Sequence, residues 1–167
     1  MTDAICVHGY FQQFCPWCSA SNSYVEDEAK KLGIAYAERL PTLPILEENV
    51  GERIWLASAI DHDGSIGETR TYIQKRVDTI YRYHYITPHI TYTTTTPKLA
   101  QKFYEIIRER PTIQRRPPPR PTVYRFSITW RKAISIILYT KPHLIRLEEE
   151  ANKVLEKYRE RPAIPID

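Results

Sequence analysis

A helix that is apolar on nearly every side leaves a chain few folds to choose from, and residues 54–66 of this 167-residue sequence spell one: I-W-L-A-S-A-I-D-H-D-G-S-I. Ile54, Trp55, Leu56, Ala57, Ala59 and Ile60 leave it almost no solvent face, so it must be buried on more than one side. Asn49-x-x-Glu52 offers its starting cap. Its end is unusual. Asp61 and Asp63 stand where the helix dipole is negative and where lysine or arginine is normal. Local rules tend to break at functional sites, and a divalent cation held by oxygen ligands would restore the balance. The plain alternative makes Asp61, His62 and Asp63 solvated turn residues, with Gly64 as a left-handed helix terminator.

The net charge of +4 conceals a sharp division along the chain. Residues 1–63 carry 4 Lys/Arg against 10 Asp/Glu, a net of −6. Residues 64–146 carry 16 against 4, a net of +12, and residues 147–167 carry 4 against 6, a net of −2. A basic block interleaved with tyrosine, threonine and glutamine is the footprint of a polyanion-binding surface. An ordinary solvated surface would mix the signs, as residues 147–161 do. The length allows one good core with at most a small appendage. No apolar run approaches the ~18–20 residues of a membrane span. Met1-Thr2-Asp3 opens without the basic start of a signal peptide. The expectation is an intracellular, cytoplasmic protein at a prokaryotic or archaeal nucleoid, with no membrane partner.

All three cysteines fall in residues 1–20. Cys6, His8, Cys15 and Cys18 form the ligand count of a tetrahedral structural Zn2+ site. A redox dithiol at Cys15-Pro16-Trp17-Cys18 and free buried thiols are the alternatives, although no βαβ pattern surrounds the pair. Residues 23–32 read as an amphipathic helix with Ser23 as N-cap, acids first, lysines last and Gly33 as terminator. Residues 40–46 read as a linker, because Pro41 and Pro44 argue against a helix. A boundary near residue 46 divides the chain into an N-terminal extension, 1–46, and a main domain, 47–161.

Beyond the apolar helix the pattern turns to strands. In residues 83–95, Ile86, Ile90 and Tyr92 suit a core face, while Tyr85, Thr87, His89, Thr91 and Thr93 suit the opposite one. Pro88 marks a bulge or an edge. Thr96-Pro97 starts a helix as cap and first residue. Residues 111–129 form a hairpin around R-R-P-P-P-R. There Tyr124, Phe126 and Ile128 face the core, and Arg125 and Ser127 face away, joined by Gln114 and Arg116. The first strand presents a conflict. With Ile66 inward, simple alternation buries Glu68 and Arg70, which is costly. A bulge at Gly67 avoids this, turning Thr71 and Ile73 inward and Glu68, Arg70, Tyr72, Gln74 and Arg76 outward.

L-A-S-A-I-D-H-D-G-S-I closely resembles the signature of the LAGLIDADG homing endonucleases. Ser58, Ala59 and His62 depart from it, but Ser58 and Ala59 stay small, as close helix packing requires. The resemblance covers roughly residues 47–160. Segments 65–76, 81–95, 98–109, 111–129, 131–139 and 146–159 follow in the family's order, and P-H-L-I-R-L-E-E-E-A-N-K-V-L-E-K (142–157) is similar to its closing pattern. The resemblance implies an α+β fold of order αββαββαα, with a four-stranded antiparallel DNA-binding saddle. A single motif copy implies a homodimer of the archaeal intron-encoded type, paired through Leu56, Ala57, Ser58, Ala59 and Ile60. It implies site-specific hydrolysis of a long, pseudo-palindromic double-stranded DNA target across the minor groove, leaving 3′ overhangs. Asp63 would bind the catalytic Mg2+ (or Mn2+), with the carbonyl of His62, and Ca2+ could occupy the site without supporting cleavage. Asp61 joins Asp63 as a catalytic candidate. The family's basic residue is missing at Leu147: either Arg146 takes its place as the catalytic cation, or Lys98 or Lys132 acts instead, or activity is weakened. A polar water-positioning residue would be Thr95 or Thr96, but Thr96 reads better as a helix cap. Arg70, Tyr72, Gln74, Arg76, Thr87, His89, Thr91, Thr93, Gln114, Arg116, Arg125 and Ser127 would face the DNA. An RNA-splicing maturase and a non-catalytic DNA-binding protein on the same fold are the alternatives.

Overall fold

A computed structural model describes residues 23–75 and 81–159, with side chains described outside 70–75 and 81–86. Two helices lead in, α1 (Tyr24–Lys31) and α2 (Pro44–Glu48). The order is then α3 (Val50–Asp63), β1 (Gly64–Lys75), β2 (Tyr81–Thr94), α4 (Pro97–Ile107), β3 (Thr112–Gln114), β4 (Val123–Thr129), α5 (Trp130–Thr140) and α6 (Glu148–Lys157). The α+β order αββαββαα expected from the resemblance is therefore present from α3 onward. The four strands make one sheet in the order β1-β2-β4-β3, with every pairing antiparallel.

The helices pack on one face of this sheet. Alternation in β2 explains why: Pro88, Ile90, Tyr92 and Thr94 are buried, while Thr87, His89, Thr91 and Thr93 stay half-exposed. Ile128 and Phe126 stand opposite Ile90 and Tyr92 on the same side. Tyr92 stacks on Phe103 of α4 at 4.3 Å, and Phe103 meets Phe126 at 4.6 Å. Offset aromatic contacts of this kind add to the area buried. Pro88 lies just past the last β2–β4 pair, His89↔Thr129, where β2 has a neighbour on one side only. Its missing N–H is harmless there.

The bulge expected at Gly67 is absent. Pairing runs without a slip from Gly64↔Tyr92 to Lys75↔Tyr81. Glu68 therefore falls on the helix-covered side with Ile66. The burial cost is met by Lys157 of α6, whose ammonium pairs with the Glu68 carboxylate. An ion pair contributed from a distant helix does what the bulge was invoked to do. By the same register Arg70, Tyr72 and Gln74 take the alternate positions of Ile66 and Glu68, not those of Thr69 and Thr87. Their side chains, and all of Arg76, lie outside the described residues.

Residues 23–46 add Val25, Ala29, Ile34, Ala37, Leu43 and Leu46 to the same buried cluster as the sheet. Ser23 caps α1 through the amide of Glu26, and Gly33 turns the chain at φ 67°, as expected of a helix terminator. The expected proline linker is in part a helix. Pro44 sits in the first turn of α2, where its missing N–H would be unsatisfied anyway. A buried polar cluster ties these elements to the rest. The Glu47 carboxylate accepts from the Tyr24 amide (2.9 Å) and the Tyr139 hydroxyl (2.6 Å). Arg53, only 8% exposed, donates to the carbonyls of Leu46 (2.5 Å) and Glu47 (2.8 Å) and lies 3.9 Å from the Tyr24 ring centre. Among the described residues, no helix is long and apolar enough to cross a membrane.

Candidate nucleic-acid interface

Asn49 caps α3 by accepting from the Glu52 amide at 3.2 Å, as its spacing suggested. The helix buries one stripe, Arg53, Leu56, Ala57 and Ile60, at i, i+3, i+4 and i+7. Leu56, Ala57 and Ile60 are thus consumed by the chain's own core, a correction to the expected pairing surface. Ser58 is exposed and Ala59 half-buried. With Val50 and Ile54 (53% and 49% exposed) and the half-buried Trp55, they outline the uncovered side of α3.

The C-terminus of α3 meets the segment that leads into α6. Both Asp61 carboxylate oxygens accept from that segment's backbone, Oδ2 from the amide of Ile145 (2.6 Å) and Oδ1 from that of Leu147 (2.9 Å). The clamp sets Arg146 across the helix end. Its Nε donates to the carbonyl of Asp61 (2.7 Å) and one terminal nitrogen to that of Gly64 (3.0 Å). A cation on the last carbonyls is what the helix dipole favours. His62 and Asp63 are exposed. The Asp63 carboxylate makes no hydrogen bond or ion pair among the described residues. Burial raises the Tyr92 phenol above its usual value, the charge of Asp63 adding to the rise and a hydrogen bond with Thr94 opposing it.

Gly64 is not the left-handed terminator the plain reading expected. Its backbone is extended, with φ −118°. Glycine is required here by space: a Cβ would meet the carbonyl oxygen of Thr91 at 2.6 Å and that of Ile60 at 2.7 Å. The helix end is pressed onto the second strand.

The sheet face away from the helices is polar. Ser65, Thr91 and Ser127 stand in one row across β1, β2 and β4. Gly67, His89 and Thr129 form the next, and Thr93, Arg125 and Thr112 another across β2, β4 and β3. The Ser65 and Thr91 hydroxyls are 2.5 Å apart, and Thr69 meets Nδ1 of His89 at 3.2 Å. Thr87 pairs with Thr69 along the same face. Gln114 pairs with Val123, and Arg116 lies exposed in the connection between β3 and β4. Ser65, Thr69, Thr112 and Thr129 belong to this face but were missed by sequence reading. The regular register of β1 and β4 is the signal that finds them.

Of the alternative cations, Lys132 pairs with Glu109 at 3.1 Å, while Lys98 stays exposed. Thr96 occupies the N-cap position of α4, but its hydroxyl makes no cap bond; its amide donates to the Thr94 hydroxyl instead. Cys6, His8, Cys15 and Cys18 lie outside the described residues. Among those described, no three His, Cys, Asp or Glu side chains gather as a metal site.

No protein-family profile matches the sequence, and no curated protein does. Among solved structures the chain is similar to LAGLIDADG homing endonucleases. One is I-CvuI in complex with the I-CreI target in the presence of Mg, the DNA not cleaved, at 18% identity and TM-score 0.48, covering 65% of this chain and 68% of that one. The LAGLIDADG homing endonuclease I-GzeII with its DNA target matches at 16% identity and TM-score 0.42, covering 63% and 35%. The archaeal intron-encoded homing endonuclease I-Vdi141I complexed with DNA matches at 13% identity and TM-score 0.41, covering 70% and 89%.

Proposed function

We propose that the chain is a site-specific, divalent-metal-dependent DNA endonuclease of the homing type that works as a homodimer. The observation that carries this reading is the single carboxylate left unengaged at the end of α3. Asp61 is occupied by backbone amides and the final carbonyls by Arg146, so at this helix end Asp63 is the carboxylate left exposed and without a partner among the described residues. The described residues of one chain supply too few ligands for a cage. Mg2+ suits such a place, because it keeps several waters and takes one or two carboxylates plus substrate phosphate oxygens. Asp63 and the carbonyl of His62 would hold it, and Mn2+ could substitute. When bound, the metal supplies an activated water and stabilises charge at the leaving oxygen.

The chain's own residues do the rest. Asp61 is a positioning residue: it holds the 145–147 backbone so that Arg146 lies at the helix end, with N–H donors left over for a phosphate. The uncovered side of α3, Val50, Ile54, Ser58 and Ala59, packs against a second copy. The two Asp63 carboxylates then come near each other, a repulsion that bound cation relieves. The strand face of each subunit enters the major groove of one half-site. There Thr87, His89, Thr91, Thr93, Gln114, Arg125 and Ser127 can reach base edges, arginine and glutamine with two-pronged contacts. Basic residues around it, Arg116 among them, add affinity through phosphates with little sequence information. Each active site cuts one strand, leaving 3′ overhangs. Cys6, His8, Cys15 and Cys18 of the cysteine-rich N-terminus would hold a structural Zn2+ apart from the chemistry.

Asp63→Asn tests the assignment. The variant should keep its melting temperature and bind duplex DNA about as well as wild type, yet lose Mg2+-dependent cleavage. A variant that still cut at the wild-type rate would remove Asp63 from the chemistry.

A further inference from the structure

Strand β4 ends at a residue that neither the core nor the chemistry above uses. Trp130 follows Thr129, the β4 member of the Gly67, His89, Thr129 row, and opens α5. It is 54% exposed. Its backbone is left-handed, at φ 58°. An exposed apolar side chain is ordinary by itself. A bulky residue held exposed by a backbone conformation that it disfavours is not. The corner between β4 and α5 needs the left-handed turn, and glycine or asparagine would make it at lower cost. Trp130 is not among the residues packed into the hydrophobic core. Among the described residues its indole makes no hydrogen bond and no ring contact. Backbone strain that the fold does not need points to function.

The surroundings indicate the kind of partner. Thr129 and His89 on one side and Arg131 and the Lys132–Glu109 pair on the other are polar or charged. Among the described residues, the chain neighbours of Trp130 and the strand position facing Thr129 carry no exposed apolar side chain that would make it part of a greasy patch, as a protein-docking surface would require. A lone aromatic at the rim of a polar, basic face is instead suited to a nucleic acid, where ring stacking and cationic phosphate contacts work together.

We infer that Trp130 is a DNA-contact residue beside the strand face, where β4 ends, packing its indole on a deoxyribose or base edge and offering its N–H to a phosphate. This rests on the proposed DNA-binding reading and adds a residue that the strand pattern does not contain.

The test is Trp130→Gly, with Trp130→Asn as a second variant that tolerates the same backbone. Both should melt at or above the wild-type temperature, because the strain is relieved while no core contact is lost. Both should bind a long mixed-sequence duplex at low salt about tenfold more weakly than wild type, a loss of about 1.4 kcal/mol for one packing contact and one hydrogen bond to phosphate. Fluorescence of a Trp17→Phe, Trp55→Phe protein, which retains only Trp130, should lose accessibility to iodide on adding that duplex. If wild type binds the duplex and both variants bind it equally well, the inference fails and the DNA-binding reading survives. If wild type itself does not bind, the underlying reading fails. Weaker binding that merely follows dissociation of a dimer in sedimentation would assign Trp130 to a protein interface and overturn the inference.

Discussion

Removing the Asp61 carboxylate should destabilise the protein, whereas removing that of Asp63 should not. Asp61→Ala deletes two charge-assisted hydrogen bonds, to the amides of Ile145 at 2.6 Å and Leu147 at 2.9 Å. Such bonds contribute about 1.5–3 kcal/mol each when well buried. Asp61 is half-exposed and water can partly replace it, so about 1 kcal/mol each, or about 2 kcal/mol together, is the better figure. For a chain of this size each kcal/mol moves the melting temperature by about 2–4 °C, so Asp61→Ala should melt about 4–8 °C lower. Asp61→Asn should lose nearly as much. Its one carbonyl oxygen can accept one amide, while its NH2 group turns a donor toward the other. Asp63→Asn leaves no partner behind and should melt with wild type. The assay is thermal unfolding followed by circular dichroism, paired with amide hydrogen exchange at Ile145 and Leu147. Exchange there should quicken in Asp61→Ala. An Asp61→Ala protein with wild-type melting and unchanged protection at both amides would refute the clamp and return Asp61 to the list of free carboxylates.

Gly64→Ala should displace the helix end from β2, because the added methyl meets two backbone oxygens; activity should fall at least as steeply as stability, read by cleavage and melting on the same sample. Ser58→Trp changes an exposed position, so the monomer should stay folded, while overfilling of the proposed helix pair costs about 1–3 kcal/mol and gives monomers in sedimentation; a dimer as tight as wild type would exclude this side of α3. Alkaline unfolding should report buried phenols. Burial, then Glu47, raise the Tyr139 phenol far above its usual value, and burial, then Glu68, push Tyr158 up to about 12. Stability from these groups is fully present below the unfolded value of 10.0 and declines as pH rises toward the folded values. The urea midpoint should therefore fall between pH 10 and 12, less steeply in Tyr139→Phe.

The order of elements was legible because it rests on local chemistry. Asn49, Ser23, Gly33 and Pro97 announce helix ends wherever they fall, and the alternation of Ile90 and Tyr92 with His89, Thr91 and Thr93 needs no knowledge of distant residues. Sequence turns Glu68 outward because its partner, Lys157, is 89 residues away, and no local pattern reveals such a pair. Arg53 could not be recognised as buried, because a lone arginine in an apolar helix ordinarily reaches solvent. It stays because two carbonyls and the Tyr24 ring enclose it. In sequence Pro44 reads as a helix breaker; in the fold it opens a helix, a matter of one position in the first turn.

The two aspartates at the end of α3 show how much of an anomaly a fold can absorb. Read along the chain, both violate the preference for cations at a helix C-terminus, and both appeal equally to a metal. In three dimensions the violation is already half answered. Arg146 supplies the cation that the last carbonyls favour, and Asp61 faces backbone donors instead of the helix dipole. These partners lie 82–86 residues further along, which is why the sequence presents two equivalent acids where the structure presents two different ones. What the fold leaves unexplained is one charge, at Asp63, beside a glycine that brings the helix end against the polar strands. Phosphodiester chemistry needs an acid held free of other partners and close to where the backbone of a nucleic acid would lie. The same Asp61 clamp that removes one carboxylate from that role fixes the position of the other, because it anchors the final turn of α3 to the segment that carries Arg146.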